Sequence, residues 1–114
     1  MSYIQLKTAL PGPKGLAALE RRKNALPAGL AKSTDIVVER AEGAVVWDVD
    51  GNQLLDFAGG IGMINVGHSN AQVVDAIKGQ LDKYIHTCSL VTTMEPYLDL
   101  AELLNSITPG NFPK

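Results

Sequence analysis

Cysteine is nearly absent: Cys88 is the only one in 114 residues, so the chain forms no internal disulfide, and a reduced, cytoplasmic setting is expected. Charge of one sign is lacking too. Ten Lys and Arg stand against 12 Asp and Glu, a net of −2, which gives no broad attraction to nucleic acid or to an anionic membrane. No apolar run approaches the roughly 18 residues that would cross a bilayer. The N-terminus, Met1-Ser2-Tyr3-Ile4-Gln5-Leu6-Lys7, has neither the apolar stretch nor the small-residue cleavage site of a secretory signal. With 46% hydrophobic and 19% charged residues the chain is not apolar-poor, so intrinsic disorder is excluded and one small folded domain is expected.

Residues 1–12 read as an arm, because Pro11, Gly12 and Pro13 interrupt any regular element. Pro13 suits the first turn of a helix, and Leu16-Ala17-Ala18-Leu19-Glu20-Arg21-Arg22-Lys23 continues it with a cationic end. Ile36-Val37-Val38 and Ala44-Val45-Val46-Trp47-Asp48-Val49 are β-branched and predict strands, with Val45, Trp47 and Val49 on one face and Val46 and Asp48 on the other. Asp50-Gly51 predicts a tight hairpin turn with positive φ values, and Gln53-Leu54-Leu55-Asp56-Phe57 the returning strand. Four glycines then fall between positions 59 and 67, mixed with aliphatics, as in a backbone that passes close to something. Ser69 or Asn70 is placed to cap a helix carrying Val73, Val74, Ile77, Leu81 and Ile85 at helical spacing. A further helix is expected from about Tyr97 to Ile107, ended by Pro109-Gly110.

Several motifs approach a known chemistry and stop short. Gly62-Met63-Ile64-Asn65-Val66-Gly67-His68-Ser69 fits a phosphate loop except at His68, where the motif needs a lysine to reach the β- and γ-phosphates. A dinucleotide fingerprint starting at Gly60 fails at Asn65. Aligning Gly51 with the invariant glycine of a calcium loop puts Val46 and Phe57 at ligand positions, and neither binds a hard cation, so Asp48-Val49-Asp50-Gly51 reads as a turn. His86-x-Cys88 is half of a metal site in a chain whose one other histidine, His68, is on a different element. Glu20-Arg21-Arg22-Lys23 reads as a solvated helix face. Residues alone therefore give no complete catalytic constellation, and no metal ligand set.

The same stretches resemble a family. Val45 to Phe57, Ala58-Gly59-Gly60-Ile61-Gly62, Asn65-Val66-Gly67-His68, Val73-Val74-x-Ala76-Ile77-x-x-Gln80-Leu81, His86-Thr87-Cys88 and Glu95-Pro96-Tyr97 are similar, in order and spacing, to the N-terminal region of class III aminotransferases. Within that family the resemblance is to the bacterial 4-aminobutyrate aminotransferases. Ala71 departs from it, standing where many relatives have proline; alanine is compatible with a helix.

The resemblance implies an α/β fold, the N-terminal part of a fold type I pyridoxal-phosphate transferase, which taken as an isolated chain is α+β. It implies residues 1–35 as arm and helix, 36–58 as the small-domain antiparallel sheet, and 59–114 as glycine loop and helices leading into the large pyridoxal-phosphate domain. It further implies a cytoplasmic homodimer that moves an amino group from 4-aminobutyrate, or a similar ω-amino acid, to 2-oxoglutarate. The phosphate-binding turn and the Schiff-base lysine are expected beyond Lys114, so no catalytic and no cofactor-binding residue is expected here and the 114-residue chain alone is expected to be inactive. Ile61 is the expected apolar wall of the substrate pocket, with Gly60 and Gly62 letting backbone approach the ligand. The competing expectation is a stand-alone, non-catalytic interaction module derived from the same family.

Overall fold

A computed structural model describes residues 2–110. The chain divides into two compact units, residues 1–74 and 75–114, with the boundary inside one helix. In chain order the elements are α1 (Pro13–Ala25), β1 (Val38–Glu42), β2 (Val45–Asp48), β3 (Gln53–Leu55), α2 (Gly59–Gly62, a single turn), α3 (Ala71–Leu81) and α4 (Glu95–Ile107).

The first unit is built on a three-stranded antiparallel sheet in the order β1-β2-β3. β2 alternates as its sequence requires: Val46 and Asp48 are buried while Val45 and Trp47 are half-covered. β1 differs from the expected Ile36–Val38. It runs from Val38 to Glu42 because β2 sets the pairing, Arg40 opposite Trp47 and Glu42 opposite Val45, with the register shifted between Val38 and Arg40. The polar strand is held by that ladder and by the Arg40 guanidinium, 3.4 Å from the centre of the Trp47 ring. The turn differs as well. Only Gly51 has positive φ, the Gly51 N–H reaches the Asp48 carbonyl at 2.9 Å, and Asp48 N–H reaches Asn52 at 3.0 Å. That is a three-residue loop with one left-handed glycine rather than a two-residue turn.

The expected arm is a bound segment. Gln5 exchanges two backbone hydrogen bonds with Gln53, of 2.9 and 2.8 Å, extending the sheet beyond β3. Asn52, 0% exposed, accepts from the N–H of Lys7 (2.6 Å) and Thr8 (2.9 Å) through Oδ1. Its Nδ2 donates to Thr8 Oγ1 (2.9 Å) and Asp48 Oδ2 (2.7 Å). Asp50 in turn caps α1, accepting from the N–H of Lys14 and Gly15 at 2.9 and 2.8 Å. A carboxylate at that end also opposes the positive pole of the helix.

Asn70 Oδ1 accepts the Val73 N–H at 3.3 Å and starts α3, as one of the two expected caps. α3 ends at Leu81, so Ile85 lies outside it. In the second unit α4 begins at Glu95, with Pro96 in the first turn, and Thr108 Oγ1 closes it by donating to the Leu104 carbonyl. No residue of α3 or α4 is buried, and their apolar stripes, Val73, Ile77 and Leu81 on one and Leu100, Leu103 and Leu104 on the other, are exposed. Among the described residues no helix is long and apolar enough to cross a membrane.

Candidate glycine-loop site

The glycines after β3 fold as a left-handed turn. Gly59, Gly60, Ile61 and Gly62 all have positive φ (52°, 62°, 56° and 78°). The turn is closed by Ile61 N–H to the Ala58 carbonyl at 2.7 Å and Met63 N–H to the Gly59 carbonyl at 3.0 Å. Glycine adopts this conformation freely, but a β-branched residue does not. Holding isoleucine there costs on the order of 1–3 kcal/mol, and such strain concentrates at working sites. The Ile61 side chain is 96% exposed, so it is not a core residue of this chain.

The loop is pinned at its neck. Asp56 N–H bonds the Ala44 carbonyl at 2.9 Å, and His68 exchanges two backbone bonds with Gly43, of 2.9 and 2.8 Å. Gly67, with φ 83°, makes this possible: a Cβ there would lie 3.1 Å from Gly43 Cα. The two ends are also joined by side chains, His68 Nε2 to Asp56 Oδ2 at 2.6 Å. The other oxygen, Asp56 Oδ1, accepts from the N–H of Ala58 (2.8 Å) and Gly59 (3.0 Å) at the start of the turn. His68 first, then the two backbone N–H groups, hold the Asp56 carboxyl below its usual value.

Two concavities flank the loop. One, of about 640 Å³, is lined by Ala18 and Leu19 of α1, Ile36, Val37, Ala58 and Ile61. Its cations are engaged elsewhere, Arg22 with the Leu30 carbonyl at 2.6 Å and Lys32 with Asp35. The other, of about 450 Å³, is lined by Val46, Leu54, Phe57, Gly60, Ile64 and His68. Gly60 and Ile61 thus lie on different hollows, while Gly62 faces open space.

The remaining motifs have local uses. The amides of Gly62, Met63, Ile64, Gly67 and His68 bond carbonyls within the first unit, so the glycine run presents no amide cradle to a phosphate. Ser69 Oγ donates to the Ala41 carbonyl. Asp48 and Asp50 serve the turn and α1, and among the described residues no three His, Cys, Asp or Glu cluster as metal ligands. For Asp48, burial pushes the pKa up. The hydrogen bonds from the Asn52 side chain and from backbone N–H groups outweigh it and hold the carboxyl below 3.8.

Both depressed carboxyls have the same consequence. The folded chain holds these protons less tightly than the unfolded chain, so folding stability is present above the ordinary carboxylate range and is lost as pH falls through the lower folded values. The urea midpoint of the chain should therefore decline below about pH 5, and Asp48→Asn should flatten that decline while lowering the neutral plateau.

No sequence signal predicts the Asp56–His68 pair. The two residues are 12 apart, and neither belongs to a motif that pairs them.

The chain is 47% identical over 96 residues to the 5-aminovalerate aminotransferase DavT of Pseudomonas aeruginosa, covering 84% of this chain and 22% of that protein. It is 44% identical over 110 residues to the 4-aminobutyrate aminotransferase of Mycobacterium tuberculosis, covering 96% of this chain and 24% of that one. The structure is similar to an omega-transaminase from Sphaerobacter thermophilus, with a TM-score of 0.76 and 28% identity over 87% of this chain and 23% of that one. The chain thus spans about a quarter of the length of the relatives it matches. The family model for class III aminotransferases matches residues 28–113, and the chain belongs to that family.

Proposed function

We propose that this chain is the N-terminal part of an ω-amino acid aminotransferase, a cytoplasmic homodimer that passes an amino group from 4-aminobutyrate or a close analogue to 2-oxoglutarate. The observation that carries the reading is Ile61: a strained, left-handed, β-branched residue whose side chain projects unburied from a pinned loop in a member of this family. In the complete enzyme Ile61 is the apolar wall along the substrate's methylene chain, and the backbone of Gly60 and Gly62 lies close to the ligand. Each methylene so covered is worth roughly 0.8 kcal/mol. The relatives' named substrates, 4-aminobutyrate and 5-aminovalerate, differ by one such methylene, which supports the class without choosing between them. The uncovered stripes of α3 and α4 support assembly with further protein surface.

The family implies pyridoxal phosphate in the complete enzyme. Residues 2–110 do not by themselves fit that group. Their lysines are all exposed, and among the described residues no buried side-chain polar atom lacks a partner.

The test is a hybrid enzyme in which residues 1–110 of this chain replace the matched part of the M. tuberculosis relative. Turnover of 4-aminobutyrate with 2-oxoglutarate within about tenfold of the parent supports the proposal. A hybrid that fails to assemble, or that assembles with cofactor and does not turn over ω-amino acids, overturns it.

A further inference from the structure

Ile61 has no packing of its own to fix it: its side chain is almost wholly exposed, so its position is set by the backbone beneath it. That backbone is a left-handed turn, a conformation an isoleucine does not choose unaided. What imposes it lies at the neck of the 56–68 loop. Asp56 Oδ1 gathers the Ala58 and Gly59 N–H groups and so fixes where the turn begins. Asp56 Oδ2 is held by His68 Nε2, and His68 is itself anchored by two backbone bonds to Gly43. Both ends of the loop are therefore tied to neighbouring residues of the β1–β2 turn, Asp56 to Ala44 and His68 to Gly43. This is a compact loop closed at its base, the arrangement in which a loop can present one side chain reproducibly.

We propose that Asp56 and His68 are positioning residues for substrate selectivity: their side-chain pair clamps the loop and sets where Ile61 meets the substrate's carbon chain. In this role both act through Ile61. The inference rests on the functional reading above. Such a clamp contributes to kcat/KM for ω-amino acids only while the isoleucine is there to be placed.

That dependence supplies the test, a double-mutant cycle in the hybrid holoenzyme with 4-aminobutyrate as substrate. Ile61→Ala should lower kcat/KM about tenfold, and Asp56→Ala by a similar factor. The double variant should be no worse than either single one, because the clamp then has nothing to place. Asp56→Asn, whose amide oxygen still accepts from Ala58 and Gly59, should recover most of the loss. If the two losses multiply in the double variant, Asp56 supports the fold in general and the proposal is overturned. It is overturned as well if Asp56→Ala leaves kcat/KM unchanged while Ile61→Ala lowers it. If Ile61→Ala itself has no effect, the functional reading fails, and the positioning role fails with it. Should Asp56→Ala not fold, His68→Ala leaves the Asp56 bonds to Ala58 and Gly59 in place and is read in the same cycle. A loss of about threefold that vanishes in the Ile61→Ala background is then expected, and a loss that persists there overturns the proposal.

Discussion

Asn52→Ala should speed tryptic cleavage of the Lys7–Thr8 bond about thirtyfold or more, with little change at bonds in exposed connecting chain. The Asn52 side chain uses all its capacity: two N–H groups of the arm, the Thr8 hydroxyl and the buried Asp48 carboxylate. Removing it frees residues 7 and 8 and strips a partner from a carboxylate that is only 3% exposed. Leaving a buried charged acceptor short of a partner costs about 2–3 kcal/mol. When local opening limits proteolysis, that cost appears directly as rate. Asn52→Asp separates the two contributions. It keeps an acceptor for the arm but places a second carboxylate where Nδ2 stood, 2.7 Å from Asp48 Oδ2, and should destabilise the hairpin as well. Unchanged cleavage in Asn52→Ala would show that Gln5 and the α1 cap hold the arm without it.

Gly67→Ala should open the base of the glycine loop, raising amide hydrogen exchange at Gly43 and His68 by about a hundredfold while Val46 in β2 changes far less. Two effects combine. A left-handed φ of 83° costs an L-residue roughly 1–2 kcal/mol. The new methyl group would also meet backbone, Gly43 Cα and O at 3.1 Å, where no side chain can swing aside. Overpacking of that kind costs a further 1–3 kcal/mol or so. Gly79→Ala is the counterpart: it sits within α3 with open space around it and should stabilise the helix by about 1 kcal/mol. Equal protection at Gly43 in the Gly67→Ala protein would mean that the loop base is not held by this close approach.

The elements written in local periodicity were legible in the sequence. α4 and α3 as far as Leu81 appear where their apolar spacing puts them, one turn short of Ile85, and Pro13 starts α1, because helix signals lie within a few residues of one another. β1 was displaced because its pairing with β2, not its own composition, decides where a strand forms: Ile36 and Val37 are more β-prone than Arg40 or Glu42, yet the ladder takes the latter. The glycine spacing announced an unusual backbone but not its hand, since glycine permits both. Ile61 shares the left-handed conformation in a loop held by one local contact, Asp56 with the Ala58 N–H, and by one distant contact, His68 with Gly43, and only the first lies within reach of local sequence. The arm shows the same limit. Asn52 follows the Asp50-Gly51 turn with no local signal of its duty to Lys7 and Thr8, which spans more than forty positions. Family resemblance supplied Ile61 as the residue to watch, which composition and spacing could not.

The most direct test of the account is the selectivity of the hybrid enzyme with isoleucine or tyrosine at position 61, measured as the ratio of kcat/KM for 4-aminobutyrate to that for ornithine. An aliphatic wall suits a substrate with no α-amino group to bind, whereas a tyrosine hydroxyl can accept a hydrogen bond from the α-ammonium of ornithine, so Ile61→Tyr should lower that ratio about tenfold or more while cofactor content stays the same. A ratio that does not move would contradict the claim that this loop forms a wall of the substrate pocket.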